Sequence, residues 1–405
     1  MTQRLTLIGG GLVGASLACA LEPLGLKITV LEETPLDSDQ QPSFDERTIA
    51  LTYGSRQIFD AIGIWQAIEM QAGPIHRIHV SNRGHAGFTR LDRQQIGTDA
   101  LGYVVPTRVL GKALTRRLQQ SSSIEYYCPA SATQIDIEPQ ARTARVGSTI
   151  GVIDTDLVVI ADGGRSSLTQ GPSWEKTTRS YSEQALIGII GVDRPHDGTA
   201  FERFTDHGPL ALLPLKDERF ALAWTLPEQR AQQMVDCDPT AFLSALQDTF
   251  GDRAGHFTRC EGRRVYPLSR SILTSPISGR CVAIGNSAHR VHPVAGQGFN
   301  LGLRDVAELA EQLANALRTG TDIGDAAVLQ AYARTRQSQT RRVSRFTDGL
   351  LQIFANEFPG LSAARNIGLN LIEICPAAKT LLLKRTVGIA GPLPRLARGL
   401  SLESA

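Results

Sequence analysis

Two glycine-rich stretches at opposite ends of the chain constrain its architecture more than any other feature. The first, Gly9-Gly10-Gly11-Leu12-Val13-Gly14, follows the apolar run Leu5-Thr6-Leu7-Ile8 and opens an apolar helix over Ala15–Leu24. The second, GNSAHRVHPVAGQGFNLGL at 285–303, follows the apolar run Cys281-Val282-Ala283-Ile284 and opens another helix, expected over 303–318. Together they suggest one ligand whose two ends are gripped by opposite ends of the sequence.

The first stretch fits GxGxxG. Gly9 permits the tight turn, Gly11 lets backbone approach a pyrophosphate, and Gly14 lets helix and strand pack closely. The helix N-terminus adds unpaired N–H groups and partial positive charge. Leu26–Glu32 reads as the second strand of a βαβ unit, and Glu32 at its end suits ribose hydroxyls. A 2′-phosphate would be repelled there, so NADPH is not the expected occupant. With the distant loop as a second grip, the expected cofactor is FAD. Arg47, in DERTIAL at 45–51, stands where the next helix is expected to start. It can reach a pyrophosphate bidentately, or form an ion pair with Asp45 or Glu46.

With 405 residues, two packed units are expected. A strand at Asp156–Ala161 ends in Asp162-Gly163-Gly164, and a helix is expected over 107–120. From 172 to 274 the pattern changes to short strands (Leu186–Val192, Leu210–Leu215, Phe220–Leu226, Gly262–Pro267) interrupted by one helix, Pro239–Phe250. The expected fold class is α/β. A Rossmann-like FAD-binding domain (1–73, 98–171, 275–345) carries an inserted antiparallel sheet as substrate domain (74–97, 172–274), followed by a helical region over 346–405. In that last region Phe346, Leu350, Ile353 and Phe354 form one apolar stripe, and Ala364, Ile367, Leu371 and Ile374 another.

A net charge of +2 is too weak to imply nucleic-acid binding by itself, and no nucleic-acid partner is expected. No apolar run approaches the roughly 18 residues of a membrane span, and the first strand leaves no room for a signal peptide. Six scattered cysteines, none at CxxC spacing, suit a reduced, cytoplasmic protein in which most of them are buried. His289 and His292 lack a third ligand at metal spacing, so no metal is expected and the pair is assigned to ordering the loop.

GGGLVG with Glu32, Arg47, ADGGRSS at 161–167 and GNSAHRVHPVAGQGFNLGLRD at 285–305 together resemble the class A flavoprotein aromatic hydroxylases, specifically their ubiquinone-biosynthesis branch. The resemblance covers nearly the whole chain, including TDGLLQIF, AARNIGLNLIE and VGIAGPLPRLARG in the tail. It implies that Asp162 and Gly163 serve both FAD and a transient NADPH or NADH. The arginine that closes this motif in the family falls at Thr169. Asn286 replaces the aspartate that bonds the ribityl chain, a departure shared by the ubiquinone branch. Pro293, Gly296 and Gln297 are the expected catalytic positions against the flavin ring. Gly298, Phe299 and Asn300 offer free amides at the helix start, where the dipole stabilises a reduced anionic ring. Gly285 and Arg108 complete the expected cofactor contacts.

The implied chemistry is hydroxylation through a flavin C4a-hydroperoxide, with O2 and a polyprenylated phenol as substrates and water excluded from the pocket. No phenol-activating side chain is identifiable in the sequence. Residues 345–405 carry seven basic and four acidic side chains, a net of +3 that suits either peripheral membrane contact or packing on the FAD domain. A ubiquinone-biosynthesis complex is a further implied partner. Two alternatives stay open: a hydroxylase of a small soluble aromatic compound, which would show a short closed pocket, and a low-turnover flavoprotein scaffold. Trp65, Trp174 and Trp224 form no halogenase-type motif and read as core or pocket lining.

Overall fold

The computed structural model describes residues 2–402 except 39–40, 46, 139–141, 171–173, 293–295, 356–367, 369–370 and 372. Side chains at 346 and 350–355 are likewise outside the description, as are Ala364 and Ile367 of the second tail stripe.

The opening βαβ unit sits at the centre of a six-stranded sheet ordered Ile277–Ser278, Cys281–Ala283, Leu157–Ile160, Arg4–Ile8, Lys27–Leu31 and Ile124–Tyr127. All neighbours are parallel except the edge strand Ile277–Ser278. Such strands read as continuous apolar runs because both faces are covered. Leu5, Leu7, Ile28, Val30, Leu157 and Val159 pack in one core with the helices Leu12–Leu21, Thr107–Gln120 and Gln297–Arg318. Ile8, Leu31, Val158 and Ile160 pack on the other side, beside a three-stranded antiparallel sheet over 132–155.

The inserted sheet has eight strands, ordered His289–Arg290, Phe257–Leu273, Lys176–Val192, Arg219–Pro227, Gly208–Pro214, Thr199–Thr205, Arg77–Asn82 and Phe88–Asp92. It is mixed rather than wholly antiparallel, because Thr199–Thr205 pairs in parallel with Arg77–Asn82, which arrives from a separate part of the chain. The apolar runs at 186–192 and 262–267 belong to 17-residue strands. The outer half of the first (KTTRSYSEQ) is mostly exposed and polar, so it carries no burial pattern to read. One face of the sheet is covered by the helices Glu228–Asp236 and Pro239–Phe250 through Leu186, Ile190, Leu212 and Phe220. Asp238 caps the second helix by accepting from the N–H groups of Thr240 and Ala241.

Three expectations need correction. Arg47 precedes not a helix but the strand Thr48–Thr52, which pairs with Gly102–Pro106; the helix follows at Tyr53–Ala61. The late helix starts at Gln297, beside the expected start at Gly298, and the apolar stripe read over 303–318 covers only its later turns because the glycine-rich first turn shows no apolar period. All six cysteines are free thiols, but only Cys19 and Cys281 are buried, and Cys375 is exposed.

Beyond the long helix Ala326–Ala355, the helix Pro376–Thr386 returns to the body of the molecule, where Leu383 is fully buried. Gly54 N–H donates to Val387 O (2.9 Å), and a Cβ at Gly54 would lie 2.7 Å from Gly388 O. Glu373 fixes the same segment by accepting from Arg90 N–H (2.8 Å), Thr89 Oγ1 (3.1 Å) and Lys379 Nζ (2.8 Å). Leu371 and Ile374 are exposed rather than packed.

Candidate active site

The glycines of the first turn divide by what surrounds them. Gly9 has φ of +101°, and a Cβ there would lie 2.5 Å from Ala161 O. At Gly14 it would lie 2.0 Å from Gly9 O. Both are required by the protein's own packing. Among the described residues, a Cβ at Gly11 would meet only Ser43 Oγ, at 3.9 Å. Gly11 therefore faces open space at the N-terminus of a helix with no side-chain cap, a cradle that suits an anionic diphosphate. Glu32 is buried beside it and accepts from Gly10 N–H (2.8 Å) and Thr34 N–H (3.0 Å). Its two oxygens retain acceptor capacity for hydroxyl groups.

Asp162 joins the second turn to the third. Its carboxylate accepts from Gly164 N–H (2.9 Å), Ser166 N–H (2.9 Å) and Ser287 Oγ (2.6 Å). Gly163 O accepts from Arg290 Nη2 at 3.1 Å. Gly285 is buried with φ of +59°, and Asn286 beside it is exposed. The two glycine-rich stretches meet directly: a Cβ at Gly302 would lie 3.0 Å from Val13 Cγ2 and 3.4 Å from Gly285 Cα. The two grips inferred from sequence are thus parts of one surface.

Pro293 lies outside the described residues. Gly296 takes a left-handed conformation (φ +61°) ahead of the helix Gln297–Arg318, and Gln297 is buried at its first turn. Among the described residues, a Cβ at Gly298 would meet only Val291 Cγ2, at 3.9 Å. The Asn300 side chain is fully engaged by protein. Its Oδ1 accepts from Thr52 N–H and Ser55 Oγ, and its Nδ2 donates to Ala50 O and Gly296 O. Asn300 can therefore meet a cofactor only through backbone. Phe299 stacks on Phe59 with ring centroids 6.3 Å apart.

Behind this loop lies a network that sequence reasoning left without a role. Asp305, fully buried, accepts from Gly285 N–H (2.8 Å), His289 Nε2 (2.6 Å) and Arg336 Nε (2.6 Å). Burial alone would raise its pKa, but His289, Arg336 and the Gly285 N–H hold it down at about 2. The signal was present in sequence: Asp305 occupies the apolar stripe between Leu301 and Leu309, where a charge requires a partner. His289 thus orders the loop. His292 packs edge-on against Tyr181, and burial pushes its pKa down to about 4, leaving it neutral. Among the described residues no cluster of ligands suits a metal.

Arg47 is paired with Asp45, and its guanidinium lies 5.3 Å from the centroid of the Tyr266 ring. The bland alternative for this residue is the one seen, although the side chain also lines the cavity beside the loop. Arg108 is exposed on the helix Thr107–Gln120. The cavity, of about 650 Å³, runs between the start of the late helix (Gly296, Gln297, Asn300) and the free face of the inserted sheet. Ile187, Ile189, Phe204 and Leu213 are among its mostly apolar walls, and Leu382 and Val387 close it from the C-terminal segment. Trp65, Trp174 and Trp224 are buried but contribute nothing to its wall.

Residues 2–347 match the family model described as FAD binding domain. The ubiquinone hydroxylase UbiL of Rhodospirillum rubrum is 32% identical over 401 residues, 98% of this chain and 92% of that protein. The 3-demethoxyubiquinol 3-hydroxylase of Escherichia coli is 28% identical over 392 residues, 95% of this chain and 98% of that protein. Among solved structures, p-nitrophenol 4-monooxygenase PnpA of Pseudomonas putida shares the fold at 17% identity, with a TM-score of 0.76 over 97% of this chain and 99% of that one.

Proposed function

The chain belongs to the FAD binding domain family and is an FAD-dependent monooxygenase; from that premise we propose that it hydroxylates the ring of a polyprenylated phenol, of the 2-polyprenyl-6-methoxyphenol type, in ubiquinone biosynthesis. The cavity carries this reading. Its walls are apolar across several strands, and it extends from the Gly296–Gln297 loop to the C-terminal helix, a shape suited to a ring with an aliphatic chain. The names of the two relatives point to the same pathway.

The residues present fit FAD. The Gly9–Gly14 turn and its helix N-terminus would hold the pyrophosphate, and Glu32 the ribose. Asp162 and Gly163 shape the intervening turn, with Gly285 and Asn286 beside them. The amides of Gly298, Phe299 and Asn300 would face the redox-active ring, where the helix dipole favours negative charge. When bound, FAD would supply the electrophilic oxygen, with NADPH or NADH as the two-electron reductant and O2 as the source of the inserted atom, the second oxygen leaving as water. The chain's own contribution is to align a ring against that end of the cavity and to keep water out with the aliphatic sheet face.

A lipid-like substrate also gives the tail a task. No helix among the described residues is long and apolar enough to cross a membrane. Exposed Leu371, Ile374 and Leu381 stand near exposed Lys384 and Arg385 on the segment that closes the cavity, a combination suited to peripheral contact with anionic lipid. The deciding experiment is mass spectrometry of quinone intermediates in a strain lacking the gene. Accumulation of an under-hydroxylated polyprenyl phenol is expected; an unaltered quinone profile would refute the assignment.

A further inference from the structure

Register along the inserted sheet places seven residues in one row on the cavity face: Thr89, Val80, Glu202, Ala211, Ala223, Ile187 and Arg264. Alternation on the strand Thr199–Thr205 sends Phe201 and Arg203 toward Phe250 on the helical side, and Ala200, Glu202 and Phe204 toward the cavity. The methyl side chains of Ala211 and Ala223 leave room beside the carboxyl. Glu202 is half-buried, and the accessible part of its side chain opens into the cavity.

The other charged groups around this space are accounted for. Arg47 is paired with Asp45, and Glu261 and Arg264 lie exposed at the rim. The row neighbours of Glu202, Val80 and Ala211, do not ionise, nor do Leu382 and Thr386, which line the same cavity from the C-terminal helix; Glu373, which accepts from Thr89 at the end of the row, is paired with Lys379. Burial alone pushes the Glu202 pKa up to about 7. Glu202 has no hydrogen-bond partner among the described residues, so both carboxyl oxygens keep their acceptor capacity for a ligand in the cavity.

We propose that Glu202 is the residue that recognises the substrate ring, its carboxylate accepting the hydrogen bond of a phenolic O–H. This rests on the phenol reading above. It makes the free hydroxyl a specificity determinant: an aryl methyl ether of equal size offers no proton to Glu202. Accepting that bond also raises electron density on the ring, the direction an electrophilic hydroxylation needs.

The test uses the FAD-loaded enzyme, with 2-octylphenol and its methyl ether as probes and the flavin absorbance band as readout. Wild type is expected to bind the phenol roughly tenfold more tightly than the ether, with phenol affinity rising through pH 7 and ether affinity flat. Glu202→Leu is expected to lose the preference while still binding the ether. Glu202→Gln, whose amide oxygen still accepts, is expected to keep part of the preference without the pH dependence. The same preference and pH profile in all three proteins would overturn the assignment. Wild-type binding of neither probe would instead overturn the phenol reading itself.

Discussion

His289 donates from Nε2 to Asp305 at 2.6 Å, with both side chains inside the core at the start of the late glycine-rich loop. The same carboxylate accepts from Gly285 N–H and Arg336, so a single anion ties the start of the loop to two helices. Asp305→Asn would leave the buried Arg336 guanidinium without its counter-charge, a loss of about 3–5 kcal/mol by analogy with broken buried pairs. Because the folded carboxyl titrates near 2, below its ordinary 3.8, its contribution is present above pH 3.8 and fades as pH falls toward 2. Denaturant titration of both proteins at pH 7 is expected to show the full gap. Flavin content should fall along with stability.

The two helix-turn glycines are expected to fail differently. Gly11→Val enters space that, among the described residues, only Ser43 Oγ borders, so the protein should fold and purify colourless, having lost the pyrophosphate cradle. Gly14→Ala drives a methyl against Gly9 O and Leu7, so it should reduce folding itself. Flavin-to-protein stoichiometry alongside far-UV circular dichroism separates the two outcomes. Stoichiometric flavin in Gly11→Val would refute the placement of the cofactor.

The contrast between these glycines also shows what sequence can carry. The opening βαβ unit is legible because its constraints are local: a buried strand, a turn needing positive φ at Gly9, and a helix packed at Gly14. The helix Pro239–Phe250 is legible from its Asp238 cap and apolar spacing. Glu202, Asp305 and Arg336 gain meaning only through pairings set by tertiary structure. Arg336 reaches Asp305 from another helix, and Glu202 faces its cavity because Thr199–Thr205 pairs with a strand from a separate excursion. In the segment TAFERFT neither face is purely apolar, so no period reveals which side is enclosed.

Glu202 should also mark the stability of the unliganded protein. A carboxyl raised from 4.5 to about 7 leaves stability intact below pH 4.5 and reduces it as pH rises through 7, by roughly 3 kcal/mol in all. Glu202→Gln cannot ionise and escapes that loss. The variant is expected to match wild type near pH 4.5 and to exceed it at pH 8 in urea titrations of the flavin-loaded protein. A variant weaker than wild type at pH 8 would mean that the ionised carboxylate has a partner in the folded state.

The C-terminal segment offers a surface test that spares the active site. Ile374 and Leu381 are 73% and 51% exposed, so replacing either with Asp removes no core contact and should leave stability and flavin content unchanged. If this face rests on lipid, each replacement both removes apolar contact and adds charge opposed to an anionic surface. Co-sedimentation with phosphatidylglycerol vesicles is expected to weaken for Ile374→Asp and Leu381→Asp, and to fall further in the double variant. Binding of wild type should decline as salt is raised, since Lys384 and Arg385 act through a screened field. Turnover of a short-chain soluble phenol should be unaffected, because the cavity reaches the helix through Leu382 and Val387 rather than through the exposed pair. Equal vesicle binding by wild type and the double variant would assign these side chains to another role and leave lipid delivery to a different face.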